Sequence, residues 1–192
     1  MLKRTLTALF VLCCATPLLA YVPAESVYTD IAPASCKTVE KQEEEGAYSR
    51  QKCAGVGGYT LMVEDDDSRQ SVTVISPDGK EHPLNYWQVV TPAFSSLGEK
   101  AEWRVEKNGD RVRPYALIVR VNASENPEKP DQKSSYLAVA KITAAAVCVT
   151  DKVKTNEEAR AAADASADKP CLQAESESAA ASAASEPTAA FR

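Results

Sequence analysis

The chain has 192 residues, 26% charged and 44% hydrophobic, with a formal net charge of −5. That length fits one domain preceded and followed by short segments. Net acidity excludes nucleic acid as the main partner, because phosphate binding requires clustered Lys and Arg.

Lys3 and Arg4 precede the apolar run Leu6 to Cys14, and small residues come before Tyr21. This is the layout of a secretory signal peptide over residues 1–20, with cleavage expected after Ala20. The run is shorter than the roughly 20 apolar residues of a membrane span, so no transmembrane segment is expected in the mature form. Removing the leader takes the net charge from −5 to −7. A periplasmic or secreted protein is expected, working in the bacterial envelope. Cys13 and Cys14 sit in the leader without the small preceding residues of a lipid-attachment site, so both are read as removed.

Cys36, Cys53, Cys148 and Cys171 remain. An even set in an exported chain reads as disulfides. Of the three connectivities, sequential pairing is favoured: Cys36–Cys53 and Cys148–Cys171. Each closes a short loop and contributes about 3 kcal/mol in the chain-entropy model. Zinc is the competing reading. It lacks tight C-x-x-C spacing, and His82 is the single histidine. No metal site and no cofactor are expected.

Residues 21–35, with Pro23 and Pro33, read as a lead-in to a folded unit over 36–172. Within that unit Gly55-Val56-Gly57-Gly58 reads as a tight corner rather than a phosphate loop, since it leads into a strand. Tyr59, Leu61 and Val63 alternate with polar neighbours, as do Val72 and Val74. Asp65-Asp66-Asp67-Ser68-Arg69 lies between them, so a hairpin is predicted. Pro77-Asp78-Gly79 marks a second turn. The triplets Glu43-Glu44-Glu45 and Asp65-Asp66-Asp67 read as solvated turns, because adjacent side chains on an extended backbone point to opposite faces. His82, between Glu81 and Pro83, reads as a surface turn residue with neither nucleophile nor orienter supplied by the sequence.

The stretch Asn85 to Phe94 breaks the strand pattern with adjacent aromatics and a proline. Tyr86, Trp87 and Phe94 are the candidate binding residues, as rigid contact area for a partner. A Tyr–Trp pair can also stack on a sugar. The competing reading places Trp87 and Phe94 as a plug at one end of the core.

Ala101, Trp103 and Val105 share one strand face, with Glu102, Arg104 and Glu106 on the other. Asn108-Gly109 is a strong hairpin signal. The returning strand presents Tyr115, Leu117, Val119 and Val121 on one face, with Pro114 marking a strand start or an edge. Strands follow at Tyr136–Ile142 and Ala146–Val149. Thr155 and Glu158 form a capping-box pattern that opens a helix over about 156–168, stopped by Pro170. Close alanine packing and the Cys148–Cys171 bridge are expected to hold it. Residues 173–192 are almost wholly Ala, Ser and Glu, and read as a disordered tail. The fold class is mainly β, a small antiparallel sandwich or barrel with one C-terminal helix and two disulfides.

The series Gly57-Gly58-Tyr59, Ala101-Glu102-Trp103-Arg104, Ala116 to Val121, Tyr136 to Ile142 and Lys169-Pro170-Cys171-Leu172 resembles an uncharacterised family of exported bacterial β-rich proteins. That resemblance implies no activity. Size, acidity and disulfides also look loosely like periplasmic lysozyme inhibitors, at the level of class alone. There is no G-x-S-x-G elbow. The functional expectation is a non-catalytic binding or inhibitory module with a protein or cell-wall ligand. A hydrolase acting on cell-wall sugar or peptide, and a structural envelope component, are the alternatives.

Overall fold

A computed structural model describes residues 24–43 and 47–174. The leader, most of the glutamate triplet and the tail from residue 175 onward lie outside the described residues.

Ten strands form: β1 (Glu25–Asp30), β2 (Lys37–Gln42), β3 (Tyr48–Ala54), β4 (Thr60–Asp66), β5 (Arg69–Ile75), β6 (Glu81–Pro83), β7 (Ser95–Asn108), β8 (Arg111–Ala123), β9 (Ser134–Ile142) and β10 (Val147–Val153). A single helical turn, α1 (Tyr86–Val89), precedes β7, and a longer helix, α2 (Asn156–Asp164), follows β10. The protein is thus mainly β with one C-terminal helix, and its disulfides are Cys36–Cys53 and Cys148–Cys171.

The strand order is β10-β9-β8-β7-β5-β4-β3-β2, with β1 added to β7 and β6 to β5. Every pairing is antiparallel except one bridge, Arg69 to Ser95, where β5 meets β7. That bridge is a corner between two antiparallel sheets. Their inner faces meet in one apolar core: Leu61, Val63, Val72 and Val74 from one side, Trp103, Val105, Leu117, Val119, Val121 and Ala140 from the other. Trp103 is fully buried and donates its Nε1–H to Thr29 Oγ1 at 2.9 Å. Its polar edge is therefore satisfied inside the core.

β7 runs for 14 residues and shifts register against β8 between Leu97 and Ala101. One edge of β7 consequently meets β5 at Ser95 and then β1 over Lys100–Val105. Residues 25–30 are therefore part of the sheet rather than a mere lead-in, and Pro33–Ser35 form a single 3-10 turn before β2. Val27 and Thr29 face the core, while Ser26 and Tyr28 face α2. Pairing with β7 places them, and a six-residue sequence with two apolar side chains does not announce that partner.

The predicted turns form with adjustments. Asp67 and Ser68 both have positive φ, 49° and 61°, as a two-residue type I′ turn requires. In the β7–β8 hairpin Asn108 pairs with Arg111, so the loop residues are Gly109 and Asp110 rather than Asn108 and Gly109. Gly109 alone takes positive φ, at 59°, the arrangement of a type II′ turn. Pro114 lies inside β8, where β9 pairing has not yet begun: β9 pairs from Ala116 onward. Its missing N–H therefore faces no ladder partner on that side. A second register shift, opposite Arg104 and Val105, turns Tyr115 to the α2 side, away from Leu117 and Val119. The bulge overrides the alternation that grouped them.

The capping box of α2 is present: Thr155 Oγ1 accepts from the Glu158 N–H at 3.2 Å, and Glu158 accepts from the Thr155 N–H at 3.1 Å. The helix ends at Asp164, four residues short of the predicted 168. The chain must turn there to return Cys171 to Cys148, and Leu172 N–H donates to Val149 O at 2.8 Å.

Candidate functional site

The segment predicted as a recognition surface divides its side chains between core and solvent. Leu84 N–H donates to Val72 O and Tyr86 N–H to Ser71 Oγ, which ties the segment to the free edge of β5. Asn85 adopts a left-handed conformation, φ 47°, and starts the turn of α1. Tyr86 then points inward and is 1% exposed, whereas Trp87 points outward and is 47% exposed. Phe94 is 51% exposed. Tyr86 is thus a core residue and cannot offer a surface contact. Neighbouring positions on one helical turn point in different directions, and the edge of β5 selects which one goes in. The core-plug reading fails for Trp87 and Phe94 for the same reason. Burial pushes the Tyr86 hydroxyl pKa upward, so it stays neutral.

Arg69 lies between the two exposed aromatics. Its guanidinium carbon sits 4.6 Å from the centre of the Phe94 ring, a cation–π distance. Nε donates to Pro92 O at 3.2 Å and Nη1 to Asp67 Oδ2 at 2.9 Å. Asp66, Asp67, Arg69 and Trp87 line a hollow of about 380 Å³. The β4–β5 turn supplies the carboxylates, β5 the arginine and α1 the indole. Ser95 N–H donates to Ser68 O at 2.8 Å, anchoring the turn to the start of β7.

A second group gathers at the β5–β6 turn. Ser76 Oγ donates to Asp78 Oδ1 at 2.5 Å and lies 3.4 Å from His82 Nε2. Asp78 also accepts from the Lys80 N–H at 3.3 Å. The Ser76 hydroxyl and the Lys80 backbone bond hold its carboxyl below the usual range. These residues border a hollow of about 350 Å³ with Tyr59 and Thr143. Sequence reading gave His82 no nucleophile; folding brings Ser76 beside it. The carboxylate, however, engages the serine and not the histidine. A nucleophilic triad needs the acid on the far imidazole nitrogen.

A third cluster, missed in the sequence, lies between the outer face of β7 and α2. Arg104 Nε and Nη2 donate to the two carboxylate oxygens of Asp164, each at 2.8 Å. Arg160 Nε donates to Glu102 Oε1 at 2.7 Å and Nη2 to the Tyr28 hydroxyl at 3.0 Å. Ser26 Oγ donates to Glu102 at 2.5 Å and Tyr115 OH to Asp164 at 2.6 Å. Burial alone would raise the Glu102 carboxyl. Hydrogen bonds from Arg160 and Ser26 outweigh it and hold the pKa below its ordinary value. Asp164 follows the same pattern through Arg104 and Tyr115. A readable signal existed: opposite charges at i, i+2 on a strand and i, i+4 on an alanine-rich helix. This cluster is filled by its own partners and serves the fold.

Among the described residues no three His, Cys, Asp or Glu side chains converge as a metal site, and no helix is long and apolar enough to cross a membrane. Neither a family model, a curated protein nor a solved structure matches the chain.

Proposed function

We propose that the protein is a non-catalytic binding or inhibitory module of the bacterial envelope, acting in the periplasm or after secretion. The exposed face around Trp87, Phe94 and Arg69 carries this reading. Two half-exposed aromatics held on α1 and at the start of β7 give rigid contact area at little ordering cost. Tyr86 anchors them from below. The resemblance to exported β-rich proteins without assigned activity fits the same reading.

In-cell crosslinking of the exported form tests it. A Trp87→Ala, Phe94→Ala double variant is expected to lose the trapped partner while keeping both disulfides and its unfolding midpoint. Equal trapping by the variant would overturn the assignment of this face. The alternative is hydrolysis of cell-wall sugar or peptide; for peptide its single observation is the contact between Ser76 and His82, whose imidazole Asp78 does not orient. Turnover of purified wall material, abolished by Ser76→Ala, is the outcome that would establish it.

A further inference from the structure

The chemistry of the Trp87 hollow specifies what it takes, granted that this face binds. Two carboxylates, Asp66 and Asp67, line the hollow with one guanidinium, Arg69, while Asp65 lines a separate hollow with Lys41. Arg69 is already engaged by Phe94, Pro92 and Asp67. Asp65 accepts from the neutral Gln70 amide at 2.9 Å. Nearby Lys41 is paired with Glu43 at 2.5 Å. Among the described residues Asp66 makes no salt bridge. The hollow is therefore lined by an unpaired carboxylate and an open indole, with negative charge in excess.

We infer that the Trp87 hollow receives a protruding Lys or Arg side chain from a basic partner protein. An indole face attracts a cation through its quadrupole, and the carboxylate completes the pairing. Half of the indole remains open to water, which suits a side chain presented by a macromolecule better than a small molecule buried on most of its surface. A net charge of −7 after removal of the leader adds long-range attraction for a cationic partner.

The test is a titration of the mature chain with a hexalysine peptide and, separately, with soluble peptidoglycan fragments, read by tryptophan emission. Buried Trp103 contributes a constant component, so change reports Trp87. Hexalysine is expected to perturb the exposed component saturably, with weakening as salt rises. Asp66→Asn should weaken it about tenfold, Trp87→Ala should abolish the signal, and Asp110→Asn in the β7–β8 turn, at the opposite end of β7 from Phe94, should leave it unchanged. Equal affinity of hexalysine for Asp66→Asn and the native chain would overturn the inference. Wall fragments that perturb Trp87 where hexalysine does not would also overturn it while leaving the binding face intact. Absence of any signal, with crosslinking unaffected by the Trp87 and Phe94 changes, would sink both.

Discussion

The two faces of the β7–β8–β9 sheet are built from different materials. The inner face buries Trp103, Val105, Leu117 and Val119 against the β4–β5 sheet. The outer face meets α2 through Ala116, Ile118, Leu137 and Val139 against Ala159, Ala162 and Ala163. Alanine removes little apolar surface from water, so the outer layer gains less per residue. Arg104–Asp164 and Arg160–Glu102 make up its contact instead. The inner face depends on packing that pH does not touch. The outer face depends on charges and on one covalent clasp.

The largest separation between the faces should come from Trp103→Ala. It empties a fully buried site and orphans Thr29, and should lower unfolding free energy by about 3–5 kcal/mol in denaturant titrations. A smaller loss would mean that the core refills. Replacing both Cys148 and Cys171 by Ser should cost about 3 kcal/mol by loop entropy. It should also open the α2 segment to protease before the strands, because the strap from Leu172 to Val149 loses its anchor. Uniform sensitivity along the chain would deny the two-layer picture.

Acid should produce the mildest and most selective effect. Glu102 and Asp164 have folded pKa values below their ordinary ones. Their contribution is therefore present above the unfolded value of about 4 and is lost as pH falls through the folded one. Amide exchange in α2 should accelerate below about pH 4 while the β7–β8 core stays protected. Equal acceleration in both would show that the charge layer contributes nothing local.

Much of this fold was legible because its signals are local. Alternation marked β4, β5, β7 and β9, and the Thr155–Glu158 pattern marked the start of α2. The hairpin of β2 and β3 was not legible. Every residue of β2 is exposed, so no apolar alternation betrays it, and its identity depends on pairing with β3. β1 was hidden for a similar reason. At the candidate site, composition singled out Tyr86, Trp87 and Phe94 but could not sort them. The hydrogen bonds from Leu84 and Tyr86 to β5 did that.

The amino-acid order by itself determined the faces of β4 and β5, the β4–β5 turn, the helix cap and the two neighbouring cysteine pairs, since each arises within a short stretch of chain. Tertiary structure alone decided which aromatic meets water, that Ser76 lies beside His82, and that four charges converge beneath α2. The widest of those contacts joins residues 132 positions apart, Tyr28 and Arg160. Only long-range strand pairing brings such groups within bonding distance.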